Sequence, residues 1–344
     1  MSIKIANRFK PFSHEFGTKA VLPLSIYTLE AFPSFFRIFK NDEVVLEIKF
    51  GIVGPVDGFT LMQDIEKARL YIYGSGADSF FRFSLSHKEE KLSLRLERAR
   101  SEISYSISKL DDLSLNGKIE GVLTAKNELV FSTKEKALEL KSLERLSFGN
   151  HKKQDTALIR RRNDPKEFLP FWFALGQRMH TTKSPIVKED LLDKLKRDFT
   201  LCFSDLFAKS GKKPDHLGLS DIPGTGLYEG YELIRSMLVY KENETFHILK
   251  KMPHQFDCGR VIDLKLKDGV FVDIEWSKKS IKKLHIRSLI KTSLKLSFQK
   301  ALKTCRELSL RESSQASLKR TRSLEDDIVI DLKIGKTCLD RFQK

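Results

Sequence analysis

The run Gly259-Arg-Val-Ile-Asp-Leu-Lys-Leu-Lys-Asp-Gly-Val-Phe-Val-Asp-Ile-Glu-Trp276 carries apolar residues at every second position on both sides of Lys267-Asp268-Gly269. A period of two belongs to strands with one buried face, and Asp-Gly marks a tight turn, so the run reads as a β-hairpin. A two-residue loop would put the apolar rows Ile262/Leu264/Leu266 and Val270/Val272/Ile274/Trp276 on opposite faces of the ribbon. A three-residue loop with Gly269 in the left-handed region of a G1 bulge instead sets Leu264 opposite Val272 and Leu266 opposite Val270. The bulged register keeps one apolar face and is the expectation. It sets Asp263 opposite Asp273, with Glu275 nearby, and like charges facing each other need a proton, a cation or a basic side chain between them. Lys265, diagonal to Asp273, is the expected neutraliser, so no metal is called for.

Alternation continues on both sides of this hairpin. Downstream it recurs at Leu284/Ile286/Ile290, Leu294/Leu296/Phe298 and Ile328/Ile330/Leu332/Ile334, with Glu312 to Asp327 read as an exposed Ser/Arg/Lys-rich loop. Upstream, from Val21 to Leu146, it recurs at Leu46/Ile48/Phe50, Phe81/Phe83/Leu85, Leu92/Leu94/Leu96 and Ile103/Tyr105/Ile107, broken by Gly, Asn, Asp and Ser clusters. About eight to ten short strands there suggest a β-sandwich.

Between these β regions the period lengthens. Asp164-Pro165-Lys166-Glu167 has a capping residue, proline at the first helical position and an acid able to reach back, ahead of Phe168, Leu169, Trp172 and Leu175, with Gly176 as a stop. Ser184-Pro185 opens a second helix, and Leu227, Tyr231, Ile234 and Leu238 share a face of a third. The expected fold is α+β, mainly β: an N-terminal β-sandwich over 1–148, a short helical insert over 149–246 and a C-terminal β-sandwich over 247–344.

Charge is uneven along the 344 residues: residues 245–344 hold 23 Lys/Arg against 12 Asp/Glu, most of the formal net charge of +16. Alternation turns Lys283, Arg287 and Lys291 outward, with Lys295 extending the stripe, so an anionic partner such as nucleic acid or an anionic surface is one expectation. A solvated sheet face is the plainer reading. The beginning of the chain lacks the apolar stretch of a secretory signal and no run is long enough to span a bilayer, so the expected location is cytoplasmic. Four scattered cysteines give neither zinc spacing nor a disulfide framework. No P-loop, Rossmann fingerprint, nucleophile elbow or H-E-x-x-H motif occurs, and no cofactor is expected.

The segment His247 to Trp276, with Met252-Pro253 ahead of the hairpin above, resembles a junction in glycoside hydrolase family 95, the fucosidases, and related families, where an apolar-Leu-Pro pattern and a Gly-containing turn precede such a hairpin. There a helical catalytic domain passes into a C-terminal β-sandwich, and Gly230 to Leu238 is similar to the last helix before it. Ile5 to His14 and Glu144 to Gly149 also resemble proteins of chlamydia-like bacteria, a likeness that implies no function. The family resemblance implies a sugar or glycan partner. At roughly 12 residues per helix and about 5 per connection, the insert holds about six helices, half of the family's toroid. No stretch reproduces the family's catalytic motifs, so the expectation is a carbohydrate-binding descendant without glycosidase activity. Two alternatives stay open: a non-enzymatic adaptor working through the basic face, and a divergent hydrolase.

A hydrolase would need two carboxyl groups, one kept protonated by its surroundings. Asp215, Asp221, Glu229 and Glu232 are the candidates in the insert, although Asp221 can equally shape a turn and Glu229 and Glu232 suit a helix start. Trp172, between Phe171 and Phe173, could stack on a sugar ring or fill the core.

Overall fold

The computed structural model describes residues 3–5, 10–77, 80–139, 142–149, 165–177, 195, 224–310 and 318–344. The N-terminal strands are β1 (Phe12–Ser13), β2 (Thr18–Val21), β3 (Tyr27–Ala31), β4 (Phe35–Lys40), β5 (Glu43–Phe50), β6 (Asp57–Asp64) and β7 (Arg69–Ser75). They continue as β8 (Phe80–Lys88), β9 (Lys91–Ala99), β10 (Ile103–Leu110), β11 (Leu113–Leu115), β12 (Glu120–Leu123) and β13 (Glu128–Thr133). Two antiparallel sheets result, ordered β1-β6-β7-β8-β9-β13-β11 and β12-β10-β5-β4-β3-β2. The alternating rows are what they bury: Leu46, Ile48, Leu70, Ile72, Phe83, Leu94 and Phe131 are all essentially inaccessible. Phe36, Phe50 and Phe83 meet with ring centroids 4.7 to 5.4 Å apart at the centre of that core.

Strand β14 (Arg145–Phe148) departs from the expected boundary. It pairs not with the strands before it but with a strand more than a hundred residues later, Arg145 opposite Ile262 and Phe148 opposite Gly259. Alternation identifies a strand, not its partner, so an N-terminal region ending at 148 took in a strand that the C-terminal sheet uses.

Among the described residues the helices that follow are α1 (Pro165–Gly176) and α2 (Gly224–Leu238). The expected start at Pro165 and the shared face of Leu227, Tyr231, Ile234 and Leu238 are both present, and all four residues are buried. The second expected helix, from Ser184, lies outside the described residues except for Leu195, which is helical and buried.

The C-terminal strands are β15 (Val239–Glu242), β16 (Thr245–Ile248), β17 (Gly259–Lys267), β18 (Val270–Ser277), β19 (Ser280–Ser288), β20 (Thr292–Ser297), β21 (Thr304–Leu310), β22 (Leu318–Ser323), β23 (Ile328–Leu332) and β24 (Gly335–Gln343). They form sheets ordered β14-β17-β18-β19-β24-β21-β22 and β15-β16-β20-β23. The first pair of strands thus begins at Val239, inside the stretch expected to be helical. The chain is α+β and mainly β, with sandwich-like β regions on either side of the helices.

Two further expectations are corrected. Leu318–Ser323, read as loop because it is polar, pairs along its length with β21, and Glu307 on β21 accepts from Arg320 and Arg322 at 3.1 and 2.5 Å. An edge strand need not be apolar when its charges are answered by its neighbour. In the opening hairpin the expected bulged register holds for Leu264 opposite Val272, and Gly269 has φ of 72°. Lys267, not Leu266, stands opposite Val270, which leaves Leu266 as the extra residue of the bulge.

Candidate functional site

The hairpin has a second bulge that the sequence did not reveal. Val261 pairs with Ile274 and Leu264 with Val272, so Ile262 and Asp263 share one position opposite Asp273. Asp263 takes up the extra residue with φ of 58°, a left-handed conformation that aspartate tolerates better than most residues. Its amide donates to Asp273 Oδ1 at 2.9 Å, so the two carboxyl groups do not confront each other directly. The Asp263 carboxylate is gripped from both sides, by Arg145 of β14 at 2.6 Å and Arg287 of β19 at 2.8 Å. The expected neutraliser is elsewhere: Lys265 pairs with the turn residue Asp268 at 2.7 Å.

The two aspartates are therefore in different electrostatic surroundings. Burial raises the pKa of Asp273, partly opposed by the Asp263 amide, and the Asp263 charge raises it further. Its cross-strand neighbour His285 is shifted down, first by burial and against the pull of Asp273. Arg145 also lines a cleft of about 150 Å³ with Ile5, Ile65, Glu66, Leu146, Pro170 and Ala174. One guanidinium edge of Arg145 serves Asp263, while its buried Nε–H has no hydrogen-bond partner among the described residues. The cleft thus combines apolar walls with one cation and one exposed carboxylate.

Beside this cleft lies a second polar cluster that welds the helices to the sheet. The Glu144 carboxylate, 6 % exposed, accepts from Tyr231 Oη at 2.7 Å and from the Lys265 amide at 2.9 Å. Arg235 lies 3.3 Å from the same carboxylate, and Gln177 bonds both the amide and the carbonyl of Glu144 at 3.0 and 2.8 Å. Burial pulls Arg235 down, but Glu144, Tyr231 and Glu232 together outweigh it and hold the guanidinium above its ordinary value. Burial, then Glu144, push the Tyr231 phenol strongly upward, so it stays a donor.

The sequence-derived candidates fall as follows. Trp172 is fully buried, donates its indole N–H to the Leu227 carbonyl at 2.8 Å and lies against Gly230, so its face is not open to a sugar. Glu229 and Glu232 lie on α2, half-buried. Asp215 and Asp221 lie outside the described residues. The basic stripe is not one stripe: Lys283 and Arg287 are on β19, Lys291 is in the turn after it, and Lys295 belongs to the other sheet. Lys295 is also 3.5 Å from Asp327, and Arg287 is committed to Asp263.

The register explains why the basic face is quieter than its sequence. Arg260, Glu275, Lys283, Asp340 and Arg306 stand side by side on β17, β18, β19, β24 and β21, alternating in sign across five strands. Arg260 reaches Glu275 at 3.4 Å, and Arg306 clasps Asp340 with two bonds of 2.7 Å.

Residues 241–337 match the family described as glycoside hydrolase family 95, C-terminal domain. The matched segment runs from β15 into the start of β24 and includes the bulged hairpin with Asp263, Asp273 and Arg287. The C-terminal region of the chain is therefore glycoside-hydrolase-related, while Arg145 and Glu144 lie outside the match. No curated protein matches the chain. No described helix is long and apolar enough to cross a membrane.

Proposed function

We propose that the protein binds a glycan through the cleft beside the bulged hairpin and does not hydrolyse it. The observation that carries this reading is the family 95 C-terminal match over 241–337, together with a cleft at its edge that presents Arg145 and Glu66. Hydrolysis has less support. A general acid must be kept protonated near neutral pH and must face a second carboxyl across a cleft. Among the described residues the deeply buried carboxylates are each held by cations or amides: Glu144 by Arg235, Asp64 by Lys10 at 3.0 Å, and Glu307 by Arg320 and Arg322. Asp273 is pushed upward but bonds its neighbour within one sheet face. A nucleic-acid adaptor working through Lys283, Arg287, Lys291 and Lys295 is also less well supported, because Arg287 and Lys295 already serve acids of the same chain.

The test is calorimetric titration of the full chain with a panel of monosaccharides and oligosaccharides, alongside chromogenic glycosides. Binding that is lost in Arg145→Ala, with no release of chromophore, is the expected result. A null panel overturns glycan binding, and turnover above background overturns the non-hydrolytic reading.

A further inference from the structure

Three turns come together at one end of the C-terminal sandwich: Asp268-Gly269 between β17 and β18, Leu289 to Lys291 between β19 and β20, and Lys333-Ile334 between β23 and β24. The Leu289 amide donates to the Gly269 carbonyl at 2.7 Å, and Ser288 pairs with Gly335, so the turns are fastened side by side. Each could have carried polar residues, as turns usually do. Instead Leu289, Ile290 and Ile334 project there, 58 %, 45 % and 59 % exposed. Clustered branched aliphatics left in water mark a surface that something covers.

The rim identifies the occupant. Lys265, Lys267, Lys291, Lys333 and Lys336 lie on or next to these turns, against Asp268, Asp331 and, on the neighbouring β15–β16 turn, Glu244, whose carboxylate acts on Lys267. Asp268 is already taken by Lys265, and Lys267 is anchored to Thr292 Oγ1 and the Ser293 carbonyl at 2.7 Å each. A second copy of the chain would bring one lysine rim against another across a two-fold axis, which like charge opposes. Nucleic acid would use the lysines but leave the aliphatics wet, since they offer no flat face for stacking on bases. An anionic lipid surface uses both: aliphatic tips enter the headgroup–acyl boundary while lysines meet phosphates above it.

We propose that this three-turn tip docks on anionic membrane surfaces, with Leu289, Ile290 and Ile334 inserting and Lys291, Lys333 and Lys336 pairing with lipid phosphates. It is independent of glycan binding at the hairpin cleft. The test is co-flotation of the full chain with vesicles of phosphatidylcholine alone or with about 30 % phosphatidylserine. Flotation with the anionic vesicles only, fading toward about 0.5 M salt, is expected. Leu289→Ser/Ile334→Ser and Lys291→Glu/Lys333→Glu should each lower vesicle partitioning by about tenfold or more. Ile119→Ser, an exposed aliphatic of the N-terminal β region, should leave it unchanged. The single variants Leu289→Ser and Ile334→Ser serve if a double variant fails to fold. The proposal is overturned by no flotation at low salt, by retention unaffected by the tip substitutions, or by salt-sensitive binding to duplex DNA without vesicle binding.

Discussion

The Tyr231 hydroxyl donates to the Glu144 carboxylate at 2.7 Å, joining α2 to the residue just ahead of β14 across 87 positions of sequence. Glu144 also receives the Lys265 amide and faces Arg235, so a single side chain ties a helix, β17 and β14 together. Tyr231→Phe removes one donor and leaves the others, and should cost about 1–2 kcal/mol. Glu144→Ala strands Arg235 and an amide, and should cost about 3 kcal/mol or more. Urea unfolding of both variants checks the order; equal losses would show that Arg235 and the amide find other partners.

Gly176 ends α1, but its backbone is not left-handed, so it is not there as a conventional C-cap. A Cβ at this position would collide with the Leu227 carbonyl and with Tyr231, which are parts of α2. In an exposed helix Gly→Ala would gain about 1 kcal/mol from propensity. Here Gly176→Ala should lose stability, because backbone must move to admit the methyl group. Thermal unfolding gives the sign directly.

Asp273 and Asp340 lie on the same face of one sheet and should respond to pH in opposite senses. The raised pKa of Asp273 means its contribution is most favourable below the unfolded value of about 3.8 and is lost as pH rises through the raised value. Arg306 holds Asp340 below its ordinary value, so its contribution is present above about 3.8 and is lost as pH falls through the lowered value. Asp273→Asn should therefore stabilise at pH 7 and Asp340→Asn destabilise, and both differences should shrink toward pH 3. Denaturation midpoints at the two pH values check both signs.

Asp263 serves two arginines from an unusual backbone conformation, so its substitutions separate charge from backbone. Asp263→Asn keeps tolerance of positive φ and should cost about 1–2 kcal/mol for the weakened pairs with Arg145 and Arg287. Asp263→Ala adds the left-handed penalty of about 1 kcal/mol and should be worse. Equal losses in denaturant unfolding would show that the bulge relaxes.

Much of this fold was legible as period. The rows Val270/Val272/Ile274/Trp276 and Phe81/Phe83/Leu85 give strands with a buried face, and the proline at 165 marks the start of a helix, because these signals are local. Pairing is not local. Nothing in Arg145-Leu-Ser-Phe148 says that it joins β17, and nothing in Leu318-Lys-Arg-Thr-Arg-Ser323 says that Glu307 makes its arginines acceptable on an edge. The cluster around Asp263 was half visible: the opposed aspartates followed from the hairpin, but their cations came from strands outside it.

The sequence by itself determined the kinds of element, their order and the concentration of basic charge in the last hundred residues, since composition and spacing belong to the chain. Tertiary structure alone decided what that charge does. Register set Arg260, Glu275, Lys283, Asp340 and Arg306 in alternating sign across five strands, and it gathered Leu289, Ile290 and Ile334 at one lysine-rimmed end. Charge interactions fall off over a few ångströms, so whether a lysine is a partner for an anion or already spent depends on neighbours that only folding supplies.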